Sequence, residues 1–376
     1  MEVLRKRDAA QWFRESLESA DGAATDPFEP IPGWRGYHRI RKRDDGACGF
    51  LSERNLCRLH EELGEGRKPL TCRMFPHHFH PAPDAVIVTT SFGCPTVVAN
   101  LGAPIATGAP LAALTKLRTE WFATHPPTAT PRQLVPGRII EAGSLSILRD
   151  ALLTMLNRAD GGVLDLRRNL RRMAVMLDDL TRARVRRLPD ADFAEYVRLT
   201  VPFAAATNQE VPARPPTRLG RLLQRGFLFA VAATRLRLEY GQGPRVALRL
   251  KTLWLLAHLH GLAPPAGRVN VAALRRAGVD LNAPEVQPVA LHYLRASFQA
   301  LGASGRPVLD ELAIAVSYLN AACSLAVMNG EGGTFSEALM EAVDLSHGDA
   351  RGLLGRALCR FAAGTEAFYT QTDRAS

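Results

Sequence analysis

The sequence predicts a mostly α-helical protein in which a small cysteine-rich metal-binding module with short β-strands precedes an irregular α-helical domain. Three observations predict this. Of six cysteines in 376 residues, Cys48, Cys57, Cys72 and Cys94 fall in the first quarter, and only Cys323 and Cys359 follow. Beyond about residue 140, apolar residues recur at three- and four-residue steps nearly to the end, which is the helical period. Between these regions "HPPTATPRQLVPGR", residues 125–138, reads as a Pro-rich linker. The expected organisation is an N-terminal helix and loop at 1–29, a cysteine module at 30–105 and a helical domain at 140–370.

Taken in order, residues 2–20 read as an amphipathic helix, and "DGAATDPFEPIPGWRG" as a loop. Tyr37 to Arg41 alternates like a strand, and "DDG" at 44–46 signals a turn. Asn55 to Gly64 reads as a short helix stopped by its glycine. Ala85 to Ser91, "AVIVTTS", is β-branched and predicts a strand. Helices are expected over 145–156 and 163–180. In the second, Leu166, Leu170, Met173, Met176, Leu177 and Leu180 share one face and arginines the other. Further helices are expected near 190–207, 218–239, 244–260, 285–301, 308–328, 334–344 and 348–368, separated by Pro and Gly breaks.

The start of the chain is charged and does not read as an apolar signal core. The uncharged run Leu312 to Gly330 contains two Asn, two Ser and a Tyr, and predicts a buried helix and not a membrane span. A cytoplasmic setting is therefore expected, with cysteines held as thiols or ligands. The net charge is +10, with 42 Arg against 5 Lys. That bias is what a GC-rich coding sequence produces. The arginines lie at helical spacing among carboxylates, so they are read as solvated helix faces, and nucleic acid is not expected as a partner.

Thiolates are soft ligands, and four complete one tetrahedral zinc or iron–sulfur site. The expected metal ligands are Cys48, Cys57, Cys72 and Cys94. Their gaps of 8, 14 and 21 residues contain no tight CxxC pair of the zinc-knuckle kind. This loose spacing suits a site built from separate loops. It favours an iron–sulfur cluster, with zinc as the alternative. His77, His78 and His80 in "MFPHHFH" are potential replacement ligands, but read first as a solvated polar loop. Cys323 and Cys359 lie among Ala and Leu and are expected in helix cores. His258 and His260 lie near a helix end and are expected to be structural, and "GQGP" and "NGEGG" are read as turns. No Walker lysine motif, Ser-hydrolase elbow or His-Glu-x-x-His helix occurs.

The words "DGACGFLSERNLCRLHEELG", "KPLTCRMFP" and "SFGCP" resemble the cysteine-cluster family of zinc- or iron-chelating domains, most closely its flagellin lysine N-methylase branch. Asp45, Gly46, Cys48, Phe50 and Leu51 match the first family word, and Cys57, Leu59, His60, Leu63 and Gly64 the second. Cys72, Arg73, Phe75 and Pro76, then Ser91, Cys94 and Pro95, complete it. The likeness covers about residues 37–100 and extends weakly to about 185. It implies methyl transfer from S-adenosylmethionine to a lysine ε-amine of a flagellin-like protein substrate. Such a transfer needs a neutral amine and a pocket for the sulfonium donor. The sequence marks neither, so the catalytic residues are not identified. The competing readings are a non-catalytic metal-binding helical protein that docks a partner and, less favoured and supported only by the charge, a basic nucleic-acid-binding protein. One departure is that the family's opening Cys-x-x-Cys block has no counterpart before Cys48. The expectation is that the coding sequence upstream of Met1 is open and encodes it.

Overall fold

The computed structural model describes residues 4–5, 28–30, 37–40, 48–54, 56–81, 86–101, 108–126, 131–207, 279–329 and 334–349. Helices take up 62% of the described residues and the strands among them form only short antiparallel pairs, so the described part of the chain is mostly α. It divides into two compact units, Met1–Phe79 with Pro104–Pro127, and His80–Ala103 with Thr128–Ser376.

In the first unit, β1 (Leu4–Arg5), β2 (Phe28–Pro30) and β3 (Tyr37–Ile40) form an antiparallel sheet in the order β1-β3-β2. Leu4 pairs with His38 and Phe28 with Ile40. This corrects two expectations. Leu4 and Arg5 are extended and not helical, and Phe28–Pro30 is a strand within a predicted loop. Polar alternation along so short a stretch carries little periodic signal, and pairing with β3 decides its conformation. The remainder of the predicted 2–20 helix and the 44–46 turn lie outside the described residues.

Next come α1 (Arg58–Leu63), a 3-10 turn at Glu65–Arg67 and α2 (Leu70–Met74). Gly64 ends α1 at φ +76°, the left-handed region that glycine enters without a Cβ penalty. α4 (Gly108–Thr124) returns to this unit and packs on α2. The sequence reading did not anticipate α4. Its buried hydrophobes include Phe50, Leu59, Met74, Phe79 and Leu114, and none of them joins the large core of the second unit.

The second unit holds that core. β4 (His77–Pro81), in which the division falls after Phe79, and β5 (Val86–Thr90) form a two-stranded sheet. α3 (Pro95–Val98) follows. The Pro-rich stretch ends in a hairpin and not only a linker: β6 (Gln133–Val135) pairs with β7 (Arg138–Ile139), and Leu134 is fully buried. α5 (Ala142–Leu156) is the central helix, with Leu145, Leu148, Leu152 and Leu156 all at 0% exposure. Burying each such leucine contributes roughly 1.5–3 kcal/mol. α5 packs against α6 (Leu166–Thr181), α8 (Asp190–Ala206) and α9 (Gln287–Gln299). A small hairpin, β8 (Ala159–Asp160) with β9 (Val163–Leu164), links α5 to α6, and α7 (Ala183–Arg186) links α6 to α8.

α10 (Val308–Asn329) and α11 (Phe335–Asp349) pack along one another. α10 is the predicted buried helix: Leu312, Val316, Leu319, Ala322 and Leu325 are fully buried, and Cys323 lies in the same core. Among the described residues no helix is long and apolar enough to cross a membrane. The predicted helices at 218–239, 244–260 and 348–368, with His258, His260, Cys359 and the "GQGP" turn, lie outside the described residues, apart from Gly348 and Asp349 at the end of α11.

The six predicted core positions of α6 are all buried. Its polar face departs from expectation. Arg172 is 6% exposed and donates to Asp160 at 2.7 Å, and Arg158 and Arg168 reach the same carboxylate at 3.1 and 3.5 Å. Arg158 also donates to the carbonyls of Ala205 and Thr207 at the end of α8. Arg158 thus seals the end of α8 and Arg172 is paired out of solvent, so these two are not part of a solvated stripe. Their long stems pack while the guanidinium finds buried acceptors.

Candidate metal-ligand residues

Cys48 and Cys57 bracket a closed loop. Leu51 N donates to Cys48 O at 3.0 Å, and an isolated antiparallel bridge joins Leu51 to Cys57. Ser52 N donates to Leu56 O and Arg58 N to Phe50 O, both at 2.9 Å. Phe50 and Leu59, each 4% exposed, anchor the loop on either side of the bridge. Cys48-Gly-Phe-Leu thus works locally as a turn carrying an apolar anchor. Cys57 is the N-cap of α1, and its carbonyl accepts from His60 N and Glu61 N at 2.9 and 3.1 Å. Its thiol makes no cap hydrogen bond, so the side chain is not committed to the helix end. Both thiols are half-buried. Arg54 and Glu61 form an exposed pair at 2.7 Å beside them, and such pairs add little stability.

Cys72 lies on α2 and is exposed, while Met74 of the same helix is buried. Arg73, between them, donates from Nε to Lys68 O at 3.2 Å and from Nη2 to Glu120 Oε2 of α4 at 2.6 Å. The sequence reading placed Arg73 in a matched word but gave Glu120 no role. A separation of 47 residues hides the pair from any local pattern.

Cys94 belongs to the second unit, where it is 9% exposed and caps α3. Its carbonyl accepts from Val97 N and Val98 N, and its own N–H donates to Ser91 O at 3.2 Å. Phe92 packs edge-on against Tyr293 with centroids 5.0 Å apart and tilts against His292 at 5.1 Å. His292 Nε2 sits 3.0 Å from Val97 O. Ser-x-x-Cys-Pro is therefore a helix start stapled onto α9.

The histidines of "MFPHHFH" are in a strand, not a loop, which corrects that expectation. Phe79 turns into the core and fixes the alternation, leaving His78 exposed. Burial lowers the pKa of His77, whose Nδ1 is buried without a hydrogen-bond partner among the described residues. His80 is also lowered by burial, partly opposed by the Ala303 carbonyl, and its Nε2 lies 2.9 Å from Thr89 Oγ1. Both rings are thus neutral near pH 7, the form that can ligate a metal.

None of the five described cysteines is in a disulfide. Their chemistry suits a zinc ion or an iron–sulfur cluster. Their arrangement does not: among the described residues no three His, Cys, Asp or Glu side chains stand together in a group that could hold a metal ion. No family model matches the chain, and no curated protein and no solved structure matches it.

Proposed function

We propose that the chain is a cysteine-thiolate metal-binding protein, with an iron–sulfur cluster as the first candidate and zinc as the second, whose ligands gather only as the metal binds. The observation that supports it is the Cys48–Cys57 loop. It is closed by three backbone hydrogen bonds, two of which form the Leu51–Cys57 bridge, and it carries two thiols that take part in no disulfide and, for Cys57, in no cap. Cys72 follows on a five-residue helix with one buried residue, an element light enough to shift when a ligand bond forms. In small ligand-bearing segments metal binding and folding are one event. Cys94 is the fourth ligand in this reading.

Lysine N-methylation with S-adenosylmethionine, acting on a flagellin-like protein, is the activity that the resemblance adds. It rests on the matched words alone, and no described residue is assigned a catalytic part. A second reading, a helical protein that docks a partner, draws support from Leu199 and Phe203. They are one turn apart on α8 and 62% and 71% exposed. Apolar side chains repeating at that spacing on a solvent face suit helix-to-partner contact.

Anaerobic purification, elemental analysis and an absorption spectrum test the reading. Iron with broad charge-transfer absorption supports the cluster, and zinc without colour supports a tetrahedral thiolate site. A protein that takes up neither metal when each is supplied leaves the docking reading standing.

A further inference from the structure

We propose that the turn between α6 and α8 is a docking surface for the phosphate backbone of nucleic acid, built from Arg184, Arg186 and Arg187. It is independent of the cysteines and of the metal reading. The stretch from Thr181 to Pro189 carries four arginines and no carboxylate. The sequence reading set nucleic acid aside because the arginines lie among carboxylates, and this run is the exception. Val185 is 2% exposed and belongs to the large core, and half-buried Leu188 packs against the same core. Val185 N and Arg186 N donate to Arg182 O at 2.9 and 3.0 Å, and Leu188 N to Val185 O at 3.2 Å. The turn is therefore closed by its backbone and pinned by apolar side chains. Successive residues are about 100° apart around a helix axis, so Arg184, Arg186 and Arg187 all point away from the side that Val185 buries. All three are exposed.

Their charges are not matched within the protein. Arg138, Arg158, Arg172 and Arg182 each meet a carboxylate. Arg184, Arg186 and Arg187 make no ion pair among the described residues. The flanking carboxylates are engaged elsewhere, Asp179 with Arg182 at 2.8 Å and Asp190 with Arg138 at 3.0 Å. Three neighbouring guanidinium groups thus face solvent, and a guanidinium fork matches a phosphate. No large apolar side chain is exposed between residues 182 and 189. The stretch therefore lacks the apolar centre of a protein–protein interface and has no side chain to insert into a membrane. A phosphate backbone requires neither, because release of its counterions drives binding. The net charge of +10 adds long-range attraction. Phosphate contacts carry no sequence information, so binding here is independent of base sequence.

The test uses the full chain and a fluorescein-labelled DNA duplex of mixed sequence, with anisotropy read from about 50 to 200 mM salt. Three neutralised phosphates predict that log K falls against log salt with a slope of about −3. Arg184→Gln, Arg186→Gln and Arg187→Gln should each weaken binding and reduce that slope by about one. Arg198→Gln removes the same charge from an arginine paired with Glu195 on α8, and should leave the slope unchanged. The triple variant should lose the duplex and keep its far-ultraviolet helical signal, because Val185 anchors the turn. The single variants decide the matter if the triple variant misfolds. Polyglutamate should displace the duplex far less readily than unlabelled duplex does. Absence of duplex binding at the lowest salt overturns the proposal, as does a loss in Arg198→Gln equal to that in Arg186→Gln, which would report net charge alone. Displacement by polyglutamate as readily as by duplex, or tighter binding to phosphatidylserine vesicles, also overturns it in favour of an acidic protein or a membrane.

Discussion

Gly302 has a positive φ of +78° in the turn between α9 and α10, and a Cβ added there would stand 2.6 Å from Leu145 Cδ2. Leu145 is fully buried and has nowhere to retreat. Gly302→Ala is expected to destabilise the protein by about 2 kcal/mol, from backbone strain and overpacking together. Urea unfolding checks this, and an unchanged midpoint would refute it. The same turn is clasped by Glu311, whose carboxylate accepts from the N–H groups of Gly302 and Ser304 and from the Ser304 hydroxyl. Burial pushes the Glu311 carboxyl above its ordinary range, against those hydrogen bonds and the charge of Arg306. A group raised in the folded state favours folding when protonated. That contribution is complete below the unfolded value of about 4.3 and is lost as pH rises through the raised folded value. Between pH 4 and 7 wild type should therefore lose stability relative to Glu311→Gln, with the two urea-midpoint curves diverging. Parallel curves would contradict it. Neither feature was legible in the sequence. "GASGRP" announces a turn, but only the packed structure shows that one glycine faces a buried leucine and that a carboxylate four residues into α10 reaches back to it.

Elements were more legible than the contacts between them. The helices over 145–156, 190–207, 285–301 and 308–328 appear within a few residues of their expected bounds because each buries a face at the helical period. The start of α6 shows where that logic stops. Periodicity began the helix at Val163, but Val163 and Leu164 pair as β9, and the helix opens at Leu166 with Asp165 as its cap. The Asp165 side chain accepts from Arg168 N at 3.0 Å and also from Asn282 Nδ2 at 3.1 Å, while Asn282 Oδ1 accepts from Leu166 N at 2.9 Å. A residue 117 positions away thus completes the helix end. Asp165→Ala should cost about 1 kcal/mol, the usual loss of an N-cap. Asn282→Ala should cost a similar amount, and the double variant less than the sum, because the two residues share a hydrogen bond. Additive losses in a double-mutant cycle would show that the clasp does not act as a unit.

At the scale of the whole molecule, the second unit holds the large core, and the first unit, which carries Cys48, Cys57 and Cys72, has a few buried hydrophobes of its own. The large core runs through α5, α6, α8, α9, α10 and α11 and includes none of Phe50, Leu59, Met74 or Leu114. Stripping metal should therefore leave the cooperative unfolding of the helical unit in place and expose the Cys48–Cys72 region to limited proteolysis. The cysteine spacing made the donor set legible, since four thiols between residues 48 and 94 stand out in a chain with two others. It could not show how those donors stand in space. The backbone of each cysteine is set by its own turn or short helix, and Cys94 by packing on α9. The most direct measurement is metal bound per chain, by elemental analysis after anaerobic loading with iron and sulfide or with zinc, for wild type and for Cys57→Ser and Cys72→Ser. The account predicts stoichiometric metal in wild type and its loss in both variants, with the far-ultraviolet helical signal unchanged. Equal metal content in all three proteins, or none in wild type, would contradict it.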